Sequence, residues 1–294
     1  MRIVSLLPSA TEILFAVGAG DAVVGVTLEC DFPAAARSRR IVSTSALPEG
    51  LEPAQIDAVV AQRMAAGEDL YRLDAGALAD LDADLVVTQD LCAVCAVDVS
   101  VVDDALAYLG CRAEVLTLDP QTLDEVLASV QTLGKAAGSE DAADRLVESL
   151  RQRLAAVADA VAGRAAVPVM VLEWTDPPFT PGHWVPDMVA AAGGSAVLGA
   201  AGHRSERSTW EAVAAAVPEV VVAAPCGFGL AESARLATEV TDRVPSRVPL
   251  WAVDANASFA RPGPRLVDGV EALAAILHPD AGIPLDPSLA TRIR

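Results

Sequence analysis

Positive charge is scarce in this sequence: 21 lysines and arginines stand against 40 aspartates and glutamates, a formal net charge of −19. Such a surface repels phosphate backbones and anionic membranes, which argues against nucleic acid as a partner. Cysteine is sparse too, and its count of five is odd. In a chain of 294 residues this favours reduced thiols or metal ligands over a disulfide framework. No stretch approaches the roughly 20 apolar residues of a membrane-crossing helix, so no membrane insertion is expected. The start, Met1-Arg-Ile-Val-Ser-Leu-Leu-Pro8, has one basic residue and an apolar run that Pro8 cuts short, too brief for a secretion signal. The protein is therefore expected in the cytoplasm; a chain trimmed of its leader would look the same and would be periplasmic or extracellular. Also missing are a Gly-x-Ser-x-Gly elbow, a phosphate-cradling loop and a His-Glu-x-x-His pair, so hydrolase, nucleotide and zinc-protease chemistry has no motif. Asp90, Asp98 and Asp119 show no spacing that names a general acid and base.

What is present is apolar content, 53% of residues, enough for one large α/β domain or two lobes. Arg2 to Leu7 reads as a strand and Pro8 to Val17 as a helix, with Ser9 as N-cap and Glu12 three residues on. Strands then alternate with helices: Val23 to Val26, Ile41 to Ser43, a helix from Pro53, Leu70 to Leu73, a helix from Ala75, Asp84 to Thr88 and Arg112 to Leu118. From Thr122 to about Gly163 only helical periodicity appears, with one break near Gly138-Ser139. The βα alternation resumes at Pro168 and closes with a helix from Arg265 to Leu277. The expected organisation is an N-terminal α/β lobe over 1–120, a helical linker with a rigid spine helix over 121–163, and a C-terminal α/β lobe over 164–294.

Ligands of open α/β sheets sit beyond the carboxyl ends of the strands, which directs attention to the loops there. Thr88 to Val97 follows a buried strand and carries Cys92-Ala-Val-Cys95, a spacing that turns two sulfurs toward one point. Cys30 and Cys226 occupy equivalent places after Val23 to Val26 and Val220 to Ala224. Three readings stand open: four small buried hydrophobes, a four-thiolate site for zinc or an iron-sulfur cluster, or redox chemistry at Cys92 and Cys95. Cys111, after Gly110, reads as structural.

The chain is similar to the class III periplasmic-binding-protein fold, the substrate-binding proteins for cobalamin, haem and iron-siderophores of ABC importers. The resemblance covers nearly the whole chain and is carried by Ser5-Leu-Leu-Pro-Ser-Ala-Thr-Glu12, Leu85-Val-Val-Thr-Gln89, the spine helix, Gly182-His-Trp-Val-Pro186, Ala192-Gly-Gly194 and Arg261-Pro-Gly-Pro-Arg265. Glu29-Cys-Asp31, Cys92-Ala-Val-Cys95 and Pro225-Cys-Gly-Phe228 resemble a branch labelled cobalamin-binding, whose usual histidine before Glu-Cys-Asp is Leu28 in this chain. The resemblance implies an α/β fold of two Rossmann-like lobes joined by a long rigid helix. It also implies a corrinoid or related metal-containing cofactor held in the cleft between the lobes, and an ABC permease as partner.

Aromatic residues concentrate in the second lobe, where flat rings could stack on a planar macrocycle. Trp174, Phe179, Phe228 and Phe259 fall just after expected strands, whereas Trp210 and Trp251 read as core. His183 and Trp184 start a helix, and His183 is either a metal ligand or a solvated loop histidine; His203 and His278 read as surface residues. Arg261, with Arg265, flanks the last helix and could dock an anionic group or pair with carboxylates. Pro8, Ser9, Glu29 and Gln89 complete the expected ligand contacts from the first lobe. The competing function is a cytoplasmic enzyme or redox protein that uses Cys30, Cys92, Cys95 and Cys226 to bind a metal ion or cluster.

Overall fold

The computed structural model describes residues 1–48, 50–66, 68, 70–89 and 113–294. By contact the chain falls into two compact units, the first made of Met1–Asp119 and Ala128–Val147, the second of Pro120–Leu127 and Glu148–Arg294. Each has its own α/β sheet.

The first unit is a six-stranded sheet in the order β4-β3-β2-β1-β5-β6. Its strands are β1 (Ile3–Ser5), β2 (Val23–Thr27), β3 (Arg40–Ser45), β4 (Tyr71–Leu73), β5 (Leu85–Thr88) and β6 (Glu114–Thr117). All neighbours run parallel except β3 and β4. Central strands read as continuous apolar runs because both faces are covered, and every residue of β1 and β5 is buried. Val4, Leu6, Val42, Leu78, Leu81 and Val86 form one of its core clusters. Helix α1 (Pro8–Ala16) follows β1, α2 (Pro53–Ala66) leads to β4, and α3 (Ala75–Ala79), capped by the Asp74 side chain, leads to β5.

The start of α1 departs from expectation. Leu7, not Ser9, is the N-cap, and no side chain caps the helix. Pro8 occupies the first turn with its φ already set and no N–H to satisfy, so one of the helix's unpaired first-turn donors is absent from the start. Ser9 and Glu12 instead sit inside the protein, each 4% exposed.

Two helices follow, α4 (Leu123–Ala136) and α5 (Glu140–Val161), with Gly138 at positive φ between them. At 1.5 Å per residue, the 22 residues of α5 span about 33 Å. The division between the units falls within this helix, after Val147.

The second unit is a five-stranded sheet in the order β10-β7-β11-β12-β13. It contains β7 (Val167–Leu172), β10 (Gly194–Ala196), β11 (Val220–Ala223), β12 (Leu250–Val253) and β13 (Ala290–Arg292), the last antiparallel to β12. A small hairpin, β8 (Trp174–Thr175) with β9 (Pro178–Phe179), stands beyond the end of β7. Helices α6 (Val185–Ala191), α7 (Trp210–Ala215, capped by Thr209), α8 (Leu230–Glu239), α9 (Ala255–Ser258) and α10 (Leu266–Leu277) complete it. Met170, Leu172, Val213, Val221, Val244 and Leu250 form a fully enclosed core cluster. No helix among the described residues is long and apolar enough to cross a membrane.

Candidate functional site

In each sheet the crossovers leave the middle strands in opposite directions, which opens a crevice at the carboxyl ends of those strands. In the first unit this switch lies between β1, which leads toward β2, and β5, which leads toward β6. Pro8 and Ser9 follow β1 and Gln89 follows β5; all three are buried. Beyond β2, Glu29 is exposed, and both its carboxylate oxygens are in hydrogen-bond reach of the Tyr71 hydroxyl, at 3.1 and 3.3 Å.

Cys30 is placed differently from its neighbours in that loop. Its side chain is 3% exposed, and its Sγ lies 3.0 Å from Thr11 Oγ1, which in turn is 2.9 Å from Ser5 Oγ. A buried hydroxyl–hydroxyl–thiol chain therefore ties the ends of β1 and β2 to α1. Sequence reading missed Thr11, although it lies within Ser5–Glu12, and Tyr71; only their pairing in space gives them a role. Cys226, in the second unit, is exposed. Cys92, Cys95 and Cys111 lie outside the described residues. Among the described residues, no group of three or more histidine, cysteine, aspartate or glutamate side chains could hold a metal ion.

The second unit's switch lies at the carboxyl ends of β7 and β11, where Glu173, Trp174 and the turn Pro225-Cys226-Gly227-Phe228 meet. The Cys226 N–H donates to the Glu173 carbonyl at 3.1 Å. Gly227 takes a φ of 89°, a left-handed conformation open to glycine, within a turn that the Phe228 N–H closes onto the Pro225 carbonyl at 3.3 Å. The rings of Trp174 and Phe228, both half-buried, stand 5.8 Å apart with planes tilted by 38°. The indole N–H of Trp174 donates to the Asp176 carbonyl at 3.1 Å, which fixes the ring. Phe179, also half-buried, bridges to Arg207 through its backbone. Arg261 and Arg265 are half-buried at the entry to α10.

Trp184 and Phe259 belong to the interior, at 6% and 2% exposure. The Trp184 indole donates to the Phe259 carbonyl at 2.8 Å, so the pair ties the start of α6 to the end of α9. His183 adopts a φ of 48°, uncommon for a residue with a side chain. Its Nε2 is out of contact with solvent and has no hydrogen-bond partner among the described residues. Burial, helped by the nearby Arg204 charge, holds its pKa below the ordinary histidine value and so favours the neutral ring.

Beside His183 lies a group that sequence reading overlooked. The Glu173 carboxylate points inward, accepting from the Gly182 N–H at 2.8 Å and from the Ser205 hydroxyl. Desolvation outweighs both hydrogen bonds and pushes its pKa up to about 7. Gly182 has no room for a side chain: a Cβ there would run into the backbone of His203 to Ser205. The only sequence signal for Glu173 was an acidic residue directly after a six-residue apolar strand.

A family model described as periplasmic binding protein matches residues 3–252. The chain belongs to that family. It is 28% identical, over 95% of its length and 80% of the relative's, to YvrC, an ABC transporter substrate-binding lipoprotein of Bacillus subtilis strain 168. Its fold is similar to a periplasmic heme binding protein from Pseudomonas aeruginosa, with a TM-score of 0.71, 22% identity and coverage of 98% of this chain and 96% of that one. It is also similar to the vitamin B12 binding protein BtuF of Vibrio cholerae, with a TM-score of 0.62, 22% identity and coverage of 94% and 96%. This chain is thus a substrate-binding protein of the ABC-transporter class, with the α/β fold that its sequence resembled. Family membership also overturns the cytoplasmic expectation, since the relatives are periplasmic proteins or lipoproteins. That expectation had rested on the lack of a leader-like stretch, and an absence carries no physical information about compartment.

Proposed function

We propose that this binding protein takes a corrinoid, cobalamin or a close relative, as its ligand and delivers it to an ABC permease. The tilted Trp174–Phe228 pair carries the proposal: two half-buried rings at a topological switch give a planar macrocycle an apolar face to lie against. Phe179 extends that face, and Arg261 offers a guanidinium to an anionic group of the ligand. From the first unit, Pro8, Ser9, Glu29 and Gln89 stand at strand ends where ligand contacts are expected. The names of the Pseudomonas and Vibrio proteins, heme binding and vitamin B12 binding, support a macrocycle of this size.

Calorimetry and absorbance titrations with cyanocobalamin, with hemin in parallel, test the assignment. Saturable cobalamin binding at micromolar concentrations is the expected result. Binding of hemin alone would move the assignment from corrinoid to haem. Binding of neither would remove the aromatic pair as a macrocycle platform.

A further inference from the structure

A second concavity lies on the opposite, amino-end edge of the second sheet, away from the strand-end loops described above. It has a volume of about 410 Å³ and begins at Val220, the first residue of β11. Its far wall is the end of α10 and the segment that follows, with Ile276, Ile283 and Leu285. Its floor includes Trp251 and Arg292, which are direct partners across the antiparallel β12–β13 ladder and so share one face of the sheet. The lining is apolar apart from this pair.

Arg292 is exposed, and its Nε donates to the main-chain oxygen of Arg294 at 2.9 Å. Among the described residues no acidic side chain pairs with its guanidinium. In a chain with nearly two acids for each base, the Arg292 guanidinium meets no acidic side chain among the described residues and turns only its Nε to the Arg294 oxygen, which leaves its other donors for the mouth of an apolar hollow. The volume falls within the roughly 300–1,000 Å³ of small-molecule sites, which combine apolar walls with a few orienting polar groups.

We propose that the Trp251–Arg292 hollow is a second ligand site, for a small carboxylate with an apolar body. The carboxylate docks on the Arg292 guanidinium, and the apolar body lies along Trp251, Ile276 and Leu285. This site shares no residue with the corrinoid site proposed above, so either stands without the other.

The test is a titration of the full chain, labelled with ¹⁵N at its four tryptophans, with decanoate and with uncharged decanol. The Trp251 indole resonance is assigned with Trp251→Phe, and the other three indole resonances report that each variant is folded. Decanoate is expected to move the Trp251 resonance saturably, at least about tenfold more tightly than decanol, since a charge-assisted hydrogen bond is worth roughly that factor. Arg292→Gln is expected to abolish this preference. No shift of Trp251 at millimolar decanoate, a shift confined to Trp174, or an affinity unchanged by Arg292→Gln would each overturn the proposal.

Discussion

Glu173 and Ser205 lie 32 positions apart in sequence, yet the hydroxyl of one donates to the carboxylate of the other beside β7. The same carboxylate holds the Gly182 N–H, so one side chain pins two loops to the end of a core strand. Its burial makes that pin sensitive to protons.

The native carboxyl keeps its proton up to about pH 7, whereas the unfolded chain releases it near 4.5. Between those values the native state binds more protons, so stability falls as pH rises and levels off above about pH 7. The shift corresponds to roughly 3 kcal/mol at most. Glu173→Gln keeps an acceptor for Gly182 and removes the charge. Thermal unfolding followed across pH 4 to 8 is expected to show a flatter profile in the variant, which exceeds the parent in stability at pH 8 and not at pH 4. His183 contributes the opposite slope: its lowered pKa means that stability is lost as pH falls below the ordinary histidine range, a slope that His183→Gln removes.

Gly182→Ala should be costly. The added methyl meets the backbone of the 203–205 segment, which cannot rotate aside as a side chain could. A loss of about 1–3 kcal/mol is expected from overpacking, read as a lower midpoint in urea with unchanged slope.

Trp174→Ala and Phe228→Ala address ligand binding. Each ring is half-buried and supports little of the core, so a near-parental melting temperature is expected together with a loss of about tenfold or more in cobalamin affinity. Trp184→Ala should behave inversely, lowering stability through its 6% exposed indole.

Thiol chemistry should separate the two described cysteines. Cys226 is exposed and Cys30 is buried against Thr11. Cys226→Ser is expected to remove one rapidly reacting thiol in a colorimetric assay, while Cys30→Ser leaves the rapid phase unchanged. Thr11→Val would leave Cys30 and Ser5 without their shared hydroxyl, at a cost of about 1–3 kcal/mol.

Most of the fold was legible because its signals are strong and local. The apolar runs of β5, β7 and β11 announce strands buried on both faces, and Thr209 and Gly138 mark helix ends as their chemistry requires. The elements that escaped are those whose residues do not favour them: β10 is Gly-Ser-Ala, β13 is Ala-Thr-Arg, and the β8–β9 hairpin has two residues a side. Pairing with β7 and β12 makes the first two strands, a tertiary cause invisible to local propensity. The site divides in the same way. Loop positions after strands could be read from order alone, which brought forward Trp174, Phe228 and Glu29. Glu173 and Thr11 take their character from partners 32 and 19 residues distant, Ser205 and Cys30, and periodicity gives no sign of such pairs.

The split of the chain into two non-contiguous units bears on how the protein can be made. Unit one needs residues up to Val147, and unit two claims Pro120–Leu127 before unit one is complete. No single cut therefore separates the two halves cleanly: one after Val147 keeps unit one whole but carries Pro120–Leu127 of unit two with it. During synthesis unit one is complete only once the ribosome has delivered the opening turns of a helix whose remainder belongs to the other half.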